Sequence, residues 1–152
     1  MRDFSPDHRW LSINTATVRR QRGIDWSLLE ILDACAARGI RAVSPWRDQV
    51  AAAGLAATAE RLQTHGLTLS GYCRGGLFAA QGLDQFAAAV DDNKRMIDEA
   101  AAIGAECIVV IGGGLAPGSR DLDAARKMFA EGIAAILPHA RAAGVALALE
   151  PM

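Results

Sequence analysis

Glu150 stands at the most informative position in this sequence of 152 residues. It follows directly on the apolar run Ala146-Leu147-Ala148-Leu149, where a buried strand would enter a ligand site. A carboxylate there can ligate a metal ion or act as a general base. The structural alternative is an exposed strand-end glutamate or a helix cap. Arg74 lies between Cys73 and Gly75-Gly76, which reads as a flexible turn at the mouth of a site. Its forked guanidinium suits an anionic or polyhydroxy substrate, and a salt bridge to a loop carboxylate is the alternative. Trp46 and Arg47 follow the run Ala42-Val43-Ser44-Pro45. An indole can form an apolar wall over a sugar face while the arginine binds oxygen atoms. Alternatively, Trp46 packs between helix and sheet, and Arg47-Asp48 is a solvated pair. Asn14, at the end of the first strand, completes the set of substrate-binding candidates.

Other patterns carry less. The run Gly112-Gly113-Gly114 suggests a phosphate loop, but Ser119-Arg120 follows Gly118 where a Walker A loop needs lysine. A dinucleotide fingerprint from Gly112 fails because Pro117 replaces its last glycine. A loop whose backbone approaches a site closely is the plainer reading. His65 and His139 fall on helices or at helix ends, where they cap carbonyls or face solvent, and His8 lies in an N-terminal arm. Cys35, Cys73 and Cys107 form no CxxC pair and no zinc spacing, which fits a reducing cytoplasm.

The elements that must position these residues show as a repeated unit. Four times a helical stretch ends in glycine and an apolar run follows, at Gly39, Gly66, Gly104 and Gly144. Glycine accepts the left-handed conformation that closes a helix. Strands are expected over 11–17, 40–45, 67–73, 107–112 and 145–150, and helices over about 26–38, 47–65, 83–103 and 122–143. The runs Cys107-Ile108-Val109-Val110-Ile111 and Val145-Ala146-Leu147-Ala148-Leu149 read as strands buried on both faces. Asp25, Asp84 and Asp121 stand near helix starts, and Pro138 is expected to kink or break the fourth helix. Such β-α alternation gives a parallel sheet with right-handed crossovers, either doubly wound or closed as a barrel. Ligands bind beyond the carboxyl ends of the strands in both.

Composition narrows the function classes. Hydrophobic residues make up 51% and charged residues 22%, as in an ordinary globular chain. The net charge of −1 predicts no nucleic-acid partner and no attraction to an anionic membrane. No apolar run reaches the roughly 18 residues of a membrane span, and the start of the chain lacks the apolar stretch of a signal peptide.

The segments 11–17, 40–48, 73–76 and 147–151 resemble, in order and spacing, the sugar phosphate isomerase/epimerase family of the xylose isomerase-like TIM-barrel superfamily. The resemblance implies an incomplete (β/α)8 barrel of about five parallel strands and four helices, with residues 1–152 as the N-terminal portion of one domain. It implies a divalent-metal enzyme acting on a small sugar or sugar phosphate, by proton transfer alpha to a carbonyl through an enediolate. Glu150 in Leu-Glu-Pro matches the family's middle-strand metal ligand, and by the same resemblance is acid/base as well. Oxygen-rich ligands suit Mn²⁺ or Mg²⁺, and a histidine ligand would also admit Zn²⁺ or Co²⁺. The remaining ligands are expected on later strands, because a full barrel needs about 250 residues. The fragment is accordingly expected to be inactive alone, and open strand edges make a homo-oligomer an expectation too. Three alternatives stand beside this reading. They are a lyase of the inosose dehydratase type, a hydrolase like the family 2 apurinic endonucleases, and a non-catalytic half-barrel that assembles with a partner.

Overall fold

A computed structural model describes residues 8–79, 82–116 and 118–151. The N-terminal arm before His8, the Pro117 that spoils the dinucleotide fingerprint, and Met152 lie outside the described residues. The described chain forms two compact units, one of residues 1–73 and 102–106 and the other of 74–101 and 107–152.

In the first unit, strands β1 (Ser12–Asn14), β4 (Ala42–Ser44) and β5 (Thr68–Leu69) form a parallel sheet in the order β1-β4-β5. The register sets Ile13 beside Val43 and Val43 beside Leu69. Side chains alternate across a strand, so Ser12, Asn14, Ala42 and Ser44 share the opposite, small and polar face. Helices α1 (Leu28–Ala37), α2 (Arg47–Ala53) and α3 (Leu55–His65) complete the unit. Helix α1 buries Leu28, Ile31, Leu32 and Cys35, the spacing of a single helix face. Its start is a capping box, in which Ser27 Oγ accepts from Glu30 N–H and the Glu30 carboxylate accepts from Ser27 N–H. Ser27, not Asp25, is therefore the cap.

Asp25 instead belongs to a hairpin that the sequence pattern did not announce. Strands β2 (Arg20–Gln21) and β3 (Ile24–Asp25) pair antiparallel around Arg22-Gly23. Both turn residues have positive φ, 53° and 83°, as a tight hairpin turn demands. An ion pair between Arg20 and Asp25 ties the two strands, and Trp26 N–H donates to Arg19 O at 2.8 Å to close the hairpin's base.

A second sheet has β6 (Tyr72–Gly76), β7 (Cys107–Ile111) and β8 (Ala146–Glu150) in that order, with β7 and β8 parallel and Ile111 opposite Glu150, and from Arg74 on it belongs to the second unit. Helices α4 (Leu83–Ala102) and α5 (Leu122–Ala143) belong here. Its core includes Phe78, Met96, Ile97, Ile108, Val110 and Ile136, all nearly inaccessible. Phe78 packs between Phe86 and Phe129, with ring centroids 6.3 and 6.0 Å away, and against Gly132.

Five differences from the sequence expectations have physical causes. The second expected helix is two, because Gly54 (φ 90°, ψ 134°) ends α2 and starts α3. The third expected strand is also two, β5 and β6, interrupted at Ser70-Gly71. The fourth expected helix stays whole: Pro138 sits inside α5 without ending it. Strand β7 is largely buried, but β8 is mostly exposed, because less of the described chain packs over its faces. Finally, Arg74 is not on a flexible turn. It lies inside β6, which runs on through Gly76. There Gly75 and Gly76 serve close packing, since a Cβ at Gly75 would strike Asn93 and one at Gly76 would strike Ile111 O. The buried Asn93 side chain holds this strand end, accepting from Gly76 N–H and donating to Gly76 O at 2.8 Å.

Candidate functional site

In the first unit, Asn14 and Trp46 come together at the carboxyl ends of β1 and β4. Trp46 Nε1–H donates to Asn14 Oδ1 at 2.8 Å, and the same oxygen accepts from Ala16 N–H at 3.1 Å. Asn14 thereby caps the 3-10 turn Thr15–Thr17 and fixes the edge of the indole. Thr15, fully buried, donates to Gln49 Oε1. Arg19 approaches the indole at 5.3 Å from the ring centroid, and its Nη1 donates to Asp48 Oδ2 at 2.7 Å. Asp48 is thus paired with Arg19, a partner the sequence did not suggest. Arg47 is half-buried and opens α2.

Hydroxyl and thiol groups line the small face of this sheet. Ser12 Oγ and Ser70 Oγ lie 2.6 Å apart, and Ser44 Oγ and Cys73 Sγ 3.3 Å apart. Sequence reading singled out neither this row nor Arg19. The period-2 alternation of Ser12-Ile13-Asn14 and Ala42-Val43-Ser44 could have shown the row. Arg19 had no comparable signal, because its placement depends on the hairpin.

In the second unit, Glu150 ends β8 and is exposed, and Arg74 is the exposed residue of an otherwise buried β6. Each stands on a strand of the sheet that β7 joins. Among the described residues, no three His, Cys, Asp or Glu side chains come together as a metal-binding group. The donors present therefore do not fit a complete metal centre. The histidines are engaged elsewhere. His65 Nε2 lies 2.6 Å from Asp33 Oδ1, and His139 Nε2 lies 2.7 Å from Asp98 Oδ1. His65 ties α3 to α1 and His139 ties α5 to α4, instead of capping carbonyls. Arg61 also donates to Asp33.

Titration marks structural groups. Hydrogen bonds from Arg61 and then His65 hold the Asp33 carboxyl below its ordinary range. The Ser27 hydroxyl and backbone do the same for Glu30, and burial pushes the Cys35 thiol up. No helix among the described residues is long and apolar enough to cross a membrane.

Comparison with known proteins agrees with this geometry. No curated protein sequence matches the chain. A crystallised protein of Sinorhizobium meliloti 1021 is 53% identical, with a TM-score of 0.89 over 93% of this chain and 50% of its own. The IOLI protein crystallised with a zinc atom is 18% identical, with a TM-score of 0.74 over 93% of this chain and 51% of its own. A D-psicose 3-epimerase crystallised in the presence of D-fructose is 14% identical, with a TM-score of 0.71 over 90% of this chain and 50% of its own. The last two likenesses show the fold alone. The chain spans about half the length of these solved structures. The family model for the xylose isomerase-like TIM barrel matches residues 32–152. The chain belongs to the xylose isomerase-like TIM barrel family.

Proposed function

We propose that residues 1–152 are the N-terminal portion of one xylose isomerase-like TIM barrel domain, and that the whole protein is a sugar or sugar phosphate isomerase or epimerase. The observation that carries this reading is Glu150. In a chain of this family, it ends a parallel strand of apolar sequence, and its carboxylate is exposed there. A solved structure of the same fold is a D-psicose 3-epimerase.

In this reading the first unit supplies a sugar-binding wall. Trp46 covers an apolar sugar face, Asn14 holds the indole by its edge, and Arg47 binds substrate oxygens. Taken by itself, the second unit carries Arg74, suited to substrate oxygens, and Glu150, suited to proton transfer. Hydrogens alpha to a carbonyl are weakly acidic, so a carboxylate within hydrogen-bond reach takes one and a second group returns it to the other face. Glu150 would also be one ligand of a divalent metal, which would supply stabilisation of the charge that develops on the substrate oxygens. Oxygen donors favour Mn²⁺ or Mg²⁺ there, and an added histidine favours Zn²⁺ or Co²⁺.

The test is hydrogen exchange at the carbon next to the ketose carbonyl, followed by NMR in D₂O with Mn²⁺ and the whole protein. Exchange is expected, and Glu150→Gln is expected to lower its rate about 10²–10⁴-fold. Unchanged exchange in that variant would remove Glu150 from the chemistry. No exchange with any ketose would remove the isomerase reading.

A further inference from the structure

We infer that Arg19 is the positioning residue for Trp46, setting the indole plane before any ligand arrives. This rests on the proposed role of Trp46 as a sugar wall, but the positioning stands on geometry within the first unit alone. Two contacts hold the guanidinium, and its third nitrogen is buried beside them. Its carbon lies 5.3 Å from the centroid of the Trp46 ring, within the range of a cation–π contact. Both terminal nitrogens reach the Asp48 carboxylate, Nη1 at 2.7 Å and Nη2 at 3.4 Å, so the group is held by a fork and not by a single point. The remaining nitrogen, Nε, is buried and has no hydrogen-bond acceptor among the described residues. A buried N–H without an acceptor is costly, and the indole π-face is the electron-rich surface beside this guanidinium.

The backbone is fixed as well. Arg19 precedes β2, and its carbonyl accepts from Trp26 N–H at 2.8 Å where the hairpin closes. Asp48 lies on the first turn of α2, two residues after Trp46, so anchor and indole move with the same helix start. Asn14 restrains the indole edge through Nε1–H while Arg19 restrains its face. The edge bond and the face contact act on different sides of the ring, and the face contact is the separate work assigned to Arg19. Lysine could keep the charge but not the forked, stacked geometry.

The probe is the intrinsic fluorescence of Trp46 in a Trp10→Phe, Trp26→Phe background of the full 152-residue chain, with acrylamide as quencher. Arg19→Ala and Asp48→Asn are each expected to raise the quenching constant by about twofold, with Arg19→Lys in between, as a stacked cation is lost in steps. Arg61→Ala, which breaks a similar exposed ion pair in the same unit, is expected to leave quenching unchanged. Far-UV circular dichroism melts accompany each variant, so that unfolding is seen as such. Equal quenching in the parent and Arg19→Ala would overturn the proposal, as would an equal rise in Arg61→Ala. An added ketose separates this inference from the functional reading. If Arg19→Ala shifts quenching but no ketose protects Trp46, the positioning role stands and the sugar wall falls.

Discussion

Asp33 links two helices through one carboxylate, accepting from Arg61 and pairing with His65 of α3 while standing itself on α1. Its carboxyl is held below the ordinary range, so its contribution to stability is present above the unfolded-state value and lost as pH falls through the folded one. The pair is half-exposed, so the effect is small. Asp33→Asn is expected to lower the thermal midpoint by about 1–3 °C at neutral pH. The gap should close in acid, below the usual carboxylate range, where the parent carboxyl is protonated too. Thermal melts from pH 7 down to pH 2.5 check this, and a gap that persists in acid would assign the effect to packing. At this scale the sequence showed residue types better than partners. Asn14, Trp46 and Glu150 stand at or near strand ends, where β-α alternation put them, whereas Arg74 lies within its strand. The pairs Asp33-His65, Asp98-His139 and Arg19-Asp48 could not be read, because each joins positions at least 29 residues apart.

Strand β6 depends on a side chain from another element. Asn93 of α4 completes both backbone groups of Gly76 and also donates to Ala89 O. Asn93→Ala would leave the buried Gly76 N–H and C=O without these partners, at an expected cost of about 2–4 kcal/mol by urea unfolding. Gly132 of α5 is a second dependence, since a Cβ there would enter the Phe78 ring. Gly132→Ala is expected to cost about 1–3 kcal/mol, although alanine is the better helix former elsewhere. A neutral or stabilising result would show that Phe78 shifts freely. Strands β7 and β8 differ by position, so β8 amides should exchange with D₂O faster than those of β7, as mass spectrometry of their peptides can show. The helix ends at Gly39, Gly66, Gly104 and Gly144 were legible, because positive φ selects glycine there. Gly54 was not, since it stands in an alanine-rich stretch whose helical pattern continues on both sides. The exposure of β8 was hidden too, because an apolar run records what a strand is suited to face, not what packs over it.

For the whole molecule, the family was legible because strand-end segments keep their order along the chain, and residues 32–152 carry the match. The site was legible only in part, since the described residues hold no group of three metal-binding side chains. Calorimetry of the 152-residue chain with Mn²⁺ is therefore expected to show affinity no tighter than about 10⁻⁴ M, the range of sparsely charged oxygen sites. Micromolar binding lost in Glu150→Gln would mean that this chain assembles a metal centre by itself. The β2-β3 hairpin carries a broader consequence. It lies after β1, outside the ladder that joins Ser12–Asn14 to Ala42–Ser44. Altering its length or turn would displace Arg19, and with it the indole, while the strands kept their register. On the proposed reading of Trp46 as a sugar wall, ligand preference would drift through exchange of this loop, by natural descent or by grafting, without a new core having to evolve.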